Sequence, residues 1–118
     1  MFFMLILLVM STTAIAQTMV FDVFRSTVTN QSNGESASLD VDFQILIDDY
    51  HLVLGTAKTY TFTGDIVSTT TKQFYVYAID GENGSKCRIW FTALGGQRAN
   101  LDIEYSDFSF QYKTNRIK

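Results

Sequence analysis

The chain of 118 residues has no proline, one cysteine and one histidine. Because Cys87 has no second cysteine to pair with, no internal disulfide can form, and an apolar core must hold the fold together. Zinc sites are built from clusters of histidine and cysteine, and a catalytic histidine needs a nucleophile and an orienting group beside it. Nothing in the sequence places such groups beside His51. The composition therefore predicts no catalytic residue, no metal site and no cofactor.

Positive charge is also sparse. Nine Lys and Arg residues are scattered along the chain, and twelve acidic residues bring the formal net charge to −3. A nucleic-acid interface needs a clustered basic surface, so nucleic acid is not an expected partner. No apolar run reaches the about 20 residues that a transmembrane helix needs, so no membrane span is expected.

The longest apolar run lies in residues 2–10, within the uncharged segment MFFMLILLVMSTTAIA. This segment ends in Ala-Ile-Ala, an A-x-A pattern typical of a secretory cleavage site. We expect residues 1–16 to be a signal peptide that is cleaved near Ala16, and residues 17–118 to form a single all-β domain. The mature protein would then be periplasmic or extracellular. Its length of about a hundred residues suffices for one modest core.

The segment QFYVYAIDGENGSKCRIWFT, residues 73–92, has the strongest hairpin pattern in the chain. Two runs rich in β-branched and aromatic residues flank DGENG, whose Asp-Gly and Asn-Gly pairs tolerate the positive φ angles of tight turns. A loop at residues 81–84 would set Val76 opposite Ile89, on a face that is apolar throughout. We expect this face to line the core.

The opposite face of the same hairpin carries Tyr75, Tyr77, Arg88 and Trp90, with Tyr75 facing Trp90 and Tyr77 facing Arg88. Such cross-strand pairs stabilise a sheet, and that role alone would explain them. They could also form a stacking platform for a flat ligand such as a sugar ring, or an anchor for a protein partner. These four residues are the candidate binding site.

Residues 38–48 alternate most regularly between apolar and polar side chains, as a half-buried antiparallel strand does. Asp48 and Asp49 are expected to form a two-residue turn that pairs Ile47 with Tyr50. The side chains predicted to face inward are Leu39, Val41, Phe43, Ile45 and Ile47.

Further strands are predicted at residues 20–28 and 59–66, the latter with Ile66 inward, and residues 67–72 are predicted to be a connection. Residues 101–112 give another hairpin. The chain thus predicts an all-β fold, an antiparallel meander of about eight short strands closed into a small barrel, with a two-sheet sandwich as the alternative. With no proline available, no edge strand is protected by that residue.

The segments YVYAIDGENGSKCRIWF and LDIEYSDFSFQY, which span much of residues 74–112, resemble a group of short uncharacterised secreted all-β proteins of Bacteroidota-type bacteria. The shared features are a turn with aspartate and glycine followed by a cysteine, then a short strand ending in tyrosine, a turn and a closing aromatic strand. The resemblance implies a bacterial, exported origin. It carries over no activity and no functional residue.

Together these features favour a small exported non-catalytic β-domain that acts as a binding or structural module, with an unknown protein or glycan partner. The first alternative is a lipocalin-like carrier that holds a small apolar ligand inside its barrel. The second alternative is a hydrolase that uses two carboxylates. The acidic residues available for it, all predicted to face outward along strands, are Asp40, Asp42, Asp102 and Glu104.

Overall fold

Alternating apolar and polar residues form nine antiparallel strands in the computed structural model, which describes residues 18–56 and 58–117. The strands are β1 (Met19–Asn30), β2 (Ser36–Ile47), β3 (His51–Leu54), β4 (Lys58–Phe62), β5 (Val67–Ser68), β6 (Gln73–Asp80), β7 (Lys86–Gly95), β8 (Arg98–Glu104) and β9 (Phe108–Arg116). From β1 to β4 and from β6 to β9, each strand pairs with the next one in the sequence, and β1 also pairs with β9.

A pairing between β4 and β6 closes eight of these strands into a barrel, so the predicted all-β antiparallel barrel is confirmed. The ninth strand, β5, adds two residue pairs beside β6 where the sequence predicted only a connection. The predicted signal peptide, residues 1–16, lies outside the residues that the structure describes. Within the described residues no helix is long and apolar enough to cross a membrane.

The barrel interior is filled by side chains from all eight of its strands. Val76 pairs with Ile89 in the predicted register, and both residues are buried. Large side chains such as Tyr60 are also fully buried. The buried apolar set is Phe21, Val23, Ile45, Leu52, Tyr60, Val76, Ala78, Cys87, Ile89, Ala99, Leu101, Ile103 and Tyr112.

The turn between β2 and β3 is wider than predicted. Ile47 pairs with Leu52 instead of Tyr50, and Tyr50 is 68% exposed. The carboxylate of Asp48 explains the difference, because its Oδ1 accepts hydrogen bonds from the backbone N–H groups of Tyr50 (2.8 Å) and His51 (2.7 Å). This capped loop is two residues longer than the predicted turn, so the register changes while the inward face stays the same.

Ile66 was also predicted to face inward, and this is wrong. The strand β4 ends at Phe62, the backbone N–H of Thr63 donates to the carbonyl of Tyr77 (2.9 Å), and residues 63–66 are not part of any strand. Ile66 therefore lies outside the core and is 44% exposed.

The strands β1 and β2 extend well past the short hairpin of β3 and β4. Each has twelve residues, but β2 pairs with β3 only at residues 45–47. Residues 36–43 thus form an overhang at one mouth of the barrel. Leu39 lies in the inward row predicted from the alternation. It is nevertheless 67% exposed, because β3 and β4 end before they reach the level of Leu39.

Candidate functional site

The four candidate residues Tyr75, Tyr77, Arg88 and Trp90 lie together on the outer face of β6 and β7, and we call them the outer patch. Their register is the predicted one, Tyr75 with Trp90 and Tyr77 with Arg88. The rings of Tyr75 and Trp90 have centroids 4.8 Å apart, and those of Tyr75 and Tyr77 are 5.6 Å apart. The structure therefore brings all four predicted residues into one contiguous surface.

Arg88 lies at the centre of the outer patch. Its Cζ is 4.9 Å from the ring centroid of Trp90 and 5.5 Å from that of Tyr75, both within cation–π range. On its other side, Nε and Nη2 donate to Oε1 of Glu104 at 2.9 and 2.6 Å. These hydrogen bonds, together with the negative charge, raise the pKa of Arg88 above its ordinary value.

Glu104 was expected only as a possible hydrolytic acid, and its contact with the outer patch was not predicted. It pairs with Arg88 across β7 and β8, and its Oε1 also accepts a longer hydrogen bond from Nε1 of Trp90, at 3.4 Å. The Gly95-Gly96 turn between two strands that carry opposite charges was the available signal. Glu104 fixes both the guanidinium and the indole, so the outer patch is held in one arrangement before any ligand binds.

The side chains of the outer patch are partly exposed to solvent, so a ligand can reach them from outside the barrel. Tyr77 is 50% exposed and the Arg88 side chain is 34% exposed, while Tyr75 and Trp90 are half-buried. A surface of this kind can stack a flat ring on Trp90 and Tyr75 and can hydrogen-bond its polar rim through Arg88 and Tyr77.

The carboxylates proposed for hydrolysis are distributed over two separate parts of the barrel. Asp40 forms an ion pair with Arg25 on the outer face of β1 and β2 (3.0 Å), and Glu104 is bound to Arg88. Asp102 lies one position along the outward row of β8 from Glu104, and burial raises its pKa. Two of the four acids are therefore already engaged by arginines.

A second polar cluster lies inside the barrel, where β4 meets β6. Asp80 is fully buried. Its Oδ2 accepts a hydrogen bond from the hydroxyl of Tyr105 (2.7 Å) and forms an ion pair with Nζ of Lys58 (3.1 Å). The hydroxyl of the buried Tyr60 lies 2.8 Å from that of Tyr105. We call Lys58, Tyr60, Asp80 and Tyr105 the seam cluster.

The seam cluster perturbs the titration of all its members. Burial acts to raise the pKa of Asp80, but the hydrogen bonds from Tyr105, from the backbone N–H of Glu82 and from Lys58 outweigh it and lower the pKa. Burial likewise opposes the charge on Lys58, but Asp80 and Glu82 outweigh it and raise its pKa. Burial raises the pKa of Tyr60 and Tyr105. At neutral pH the cluster thus holds an ion pair between Lys58 and Asp80, and two neutral phenols continue from its carboxylate side.

The role of Asp80 was readable from the alternation of its strand. Phe74, Val76 and Ala78 face inward, and Asp80, which directly precedes the predicted loop at residues 81–84, is the next residue in that row, although it was not predicted to be a core residue. The backbones on the two sides of the seam also lie close together at this point, because the N–H of Gly81 donates a hydrogen bond to the carbonyl of Thr59 at 2.8 Å. A Cβ on Gly81 would lie 2.7 Å from that carbonyl oxygen, so only glycine fits.

An open depression of about 570 Å³ lies at the mouth of the barrel above the seam cluster. The overhang of β2 and the shortness of the β3–β4 hairpin leave this mouth uncovered. Its lining combines three members of the seam cluster with the aromatic side chains of Phe108 and Phe110. It comprises Lys58, Asp80, Asn83, Ser85, Lys86, Tyr105, Ser106, Asp107, Phe108 and Phe110.

Comparison of the chain with protein-family models, with curated proteins and with solved structures returns no match. The outer patch, the seam cluster and the depression at the mouth are the features of the molecule that bear on its function.

Asp80→Asn tests the seam cluster. Since the pKa of Asp80 is lower in the folded state than its ordinary value of 3.8, its contribution to stability is present above that value and is lost as the pH falls below it. We expect Asp80→Asn to lower the free energy of unfolding at pH 7 by roughly 2–4 kcal/mol, because it leaves Lys58 and Tyr105 without their charged acceptor. Urea unfolding between pH 7 and pH 2 measures both effects.

The matched control is Asp107→Asn, which removes an exposed carboxylate from the same mouth. The variant at Asp80 should lose less stability than the wild type as the pH falls, whereas the control should follow the wild type. Equal stability of Asp80→Asn and wild type at pH 7 would contradict the assignment.

Proposed function

We propose that the protein is a small non-catalytic binding module whose ligand docks on the outer patch. The observation that carries this proposal is the fixed arrangement of Arg88 between two aromatic rings and Glu104. Binding to side chains that are already ordered costs little conformational entropy. The proposal therefore treats the outer patch as a preformed surface.

A sugar ring of a glycan fits the chemistry of this surface best. The apolar face of such a ring can stack on Trp90 or Tyr75, and its hydroxyl groups can pair with Arg88, Glu104 and the hydroxyl of Tyr77. The combination of a partly exposed indole, a guanidinium and a carboxylate supplies both hydrogen-bond donors and acceptors at the rim of the rings. A protein partner anchored by the same rings is the other member of this class.

The mouth of the barrel supports a second candidate, a lipocalin-like carrier. The interior is filled by side chains such as Tyr60, Ile45 and Leu52, which leaves the open depression of about 570 Å³ as the place where a small ligand would bind. Phe108 and Phe110 would contact the apolar part of such a ligand. The volume is within the range of small-molecule pockets.

Fluorescence of Trp90, the one tryptophan in the chain, tests the outer patch. We expect a saturable change in its emission when soluble glycans are added to the purified protein. Tyr77→Ala removes an exposed ring of the patch and should weaken this binding about tenfold, which corresponds to about 1.4 kcal/mol.

The matched control is Phe24→Ala, which removes a similarly exposed ring, 43% exposed, from β1. It should leave glycan binding unchanged. Binding that Tyr77→Ala does not weaken would contradict the use of the outer patch. A response to lipids alone that survives Tyr77→Ala would favour the carrier.

Export is a further part of this proposal. The uncharged apolar segment before Gln17 supports it. When the full chain is expressed in a bacterium with an intact secretion pathway, we expect the mature protein to begin at Gln17 and to lie outside the cytoplasm. Mass spectrometry of the fractionated protein checks this, and an uncleaved cytoplasmic protein would contradict it.

A further inference from the structure

One edge of the strand β2 has no paired neighbour along most of its length. Within residues 18–56 and 58–117, β2 pairs with β1 on one side and with β3 on the other, and β3 reaches only residues 45–47. The last contact on that side is the hydrogen bond from the N–H of Gly55 to the carbonyl of Gln44, at 2.8 Å. Residues 36–43 therefore present a free strand edge.

The backbone groups of this edge point outward at alternate residues. Gln44 and Asp48 direct their backbone groups toward the β3 side, as their hydrogen bonds to Gly55 and His51 show. The alternation of an extended strand then gives Ser36, Ser38, Asp40 and Asp42 the same direction. A run of unpaired donors and acceptors of this kind is a template for another strand.

The side chains on the free edge differ between its two faces. The inward row contains Ala37, Leu39 and Val41, and Leu39 is 67% exposed. The outward row contains serines and aspartates, and Arg25 neutralises Asp40 through its ion pair at 3.0 Å. The edge thus offers an apolar row beside a polar row that carries little uncompensated charge at its centre.

We infer that this edge pairs with the same edge of a second copy of the chain, antiparallel and with Leu39 opposite Leu39 on a two-fold axis. Ala37 of each copy then lies opposite Val41 of the other, so the apolar row continues across the interface. Ser38 lies opposite Asp40 and Ser36 opposite Asp42, so the outward-pointing backbone groups of both edges are paired. A symmetric contact of this type closes after two copies.

Charge selects this register over its neighbours. In a register with the two-fold axis at Asp40, the Asp40 carboxylates of the two copies would lie directly opposite each other, which is destabilising. The opposite shift, with the axis on Ser38, avoids this but pairs only residues 36–40. The register about Leu39 uses residues 36–42 and places no carboxylate opposite another.

The length of the free edge also matches a second copy. It is bounded by the β1–β2 turn, where Gly34 has a φ of +75°, and at the other end by the bond to Gly55. In the proposed register the turn of each copy lies beside the β3–β4 hairpin of the other.

Light scattering with size-exclusion chromatography tests the inference between about 1 µM and about 1 mM protein, the range over which a small interface associates. We expect the wild type to form a concentration-dependent dimer. Leu39→Lys places two ammonium groups opposite each other on the axis and should raise the dissociation constant at least about tenfold. The control is Leu94→Lys on β7, where the leucine is 46% exposed, and it should leave the dimer intact.

A disulfide tests the register independently. Facing residues of the pair at Leu39 would have Cα atoms about 4.5 Å apart, within disulfide range. Leu39→Cys should therefore form a covalent dimer under mild oxidation. Ala37→Cys should not, because the two copies of that position would lie about 13 Å apart along the strands. The native Cys87 is buried, and burial raises the pKa of its thiol to about 11, so the wild type should not cross-link.

A wild type that stays monomeric throughout this concentration range would overturn the inference. So would a dimer that Leu39→Lys does not weaken, or covalent dimers of Ala37→Cys in preference to Leu39→Cys. Circular dichroism of each variant shows whether the β-barrel has formed before these results are interpreted.

Discussion

The short pairing between β4 and β6 is the contact on which the rest of the barrel depends. It consists of three residue pairs, Tyr60 with Asp80, Thr61 with Ile79, and Phe62 with Ala78. A sheet joined by so few backbone pairs needs additional support, and the buried carboxylate of Asp80 provides it by binding Lys58 from β4 and Tyr105 from the β8–β9 turn. Without this closure the strands would form an open sheet with two bare edges.

The same closure explains why the two candidate surfaces lie where they do. Because β3 and β4 are short, the barrel closes below the ends of β1 and β2, which leaves the mouth open and the edge of β2 free. On the other side of the seam, β6 continues into the hairpin with β7 that carries the outer patch. The open mouth and the free edge of β2 are thus both consequences of one unequal set of strand lengths.

Sequence patterns predicted the features that depend on neighbouring residues. The register that pairs Tyr75 with Trp90 followed from one tight turn and the alternation on either side of it, so the outer patch was predictable. The wide turn at Asp48 was not, because a side-chain cap decides its length. The exposure of Leu39 was not predictable either, since alternation assigns a face but does not show whether another strand covers it.

Hydrogen exchange at the seam tests most directly the claim that Asp80 and its partners hold the barrel closed. The informative amide is that of Gly81, which donates to the carbonyl of Thr59, and the reference is the core amide of Ile103. Tyr105→Phe removes one hydrogen bond to a buried carboxylate, so the protection of Gly81 should fall by about tenfold or more, and more than that of Ile103. Unchanged protection of Gly81 in this variant would contradict the account.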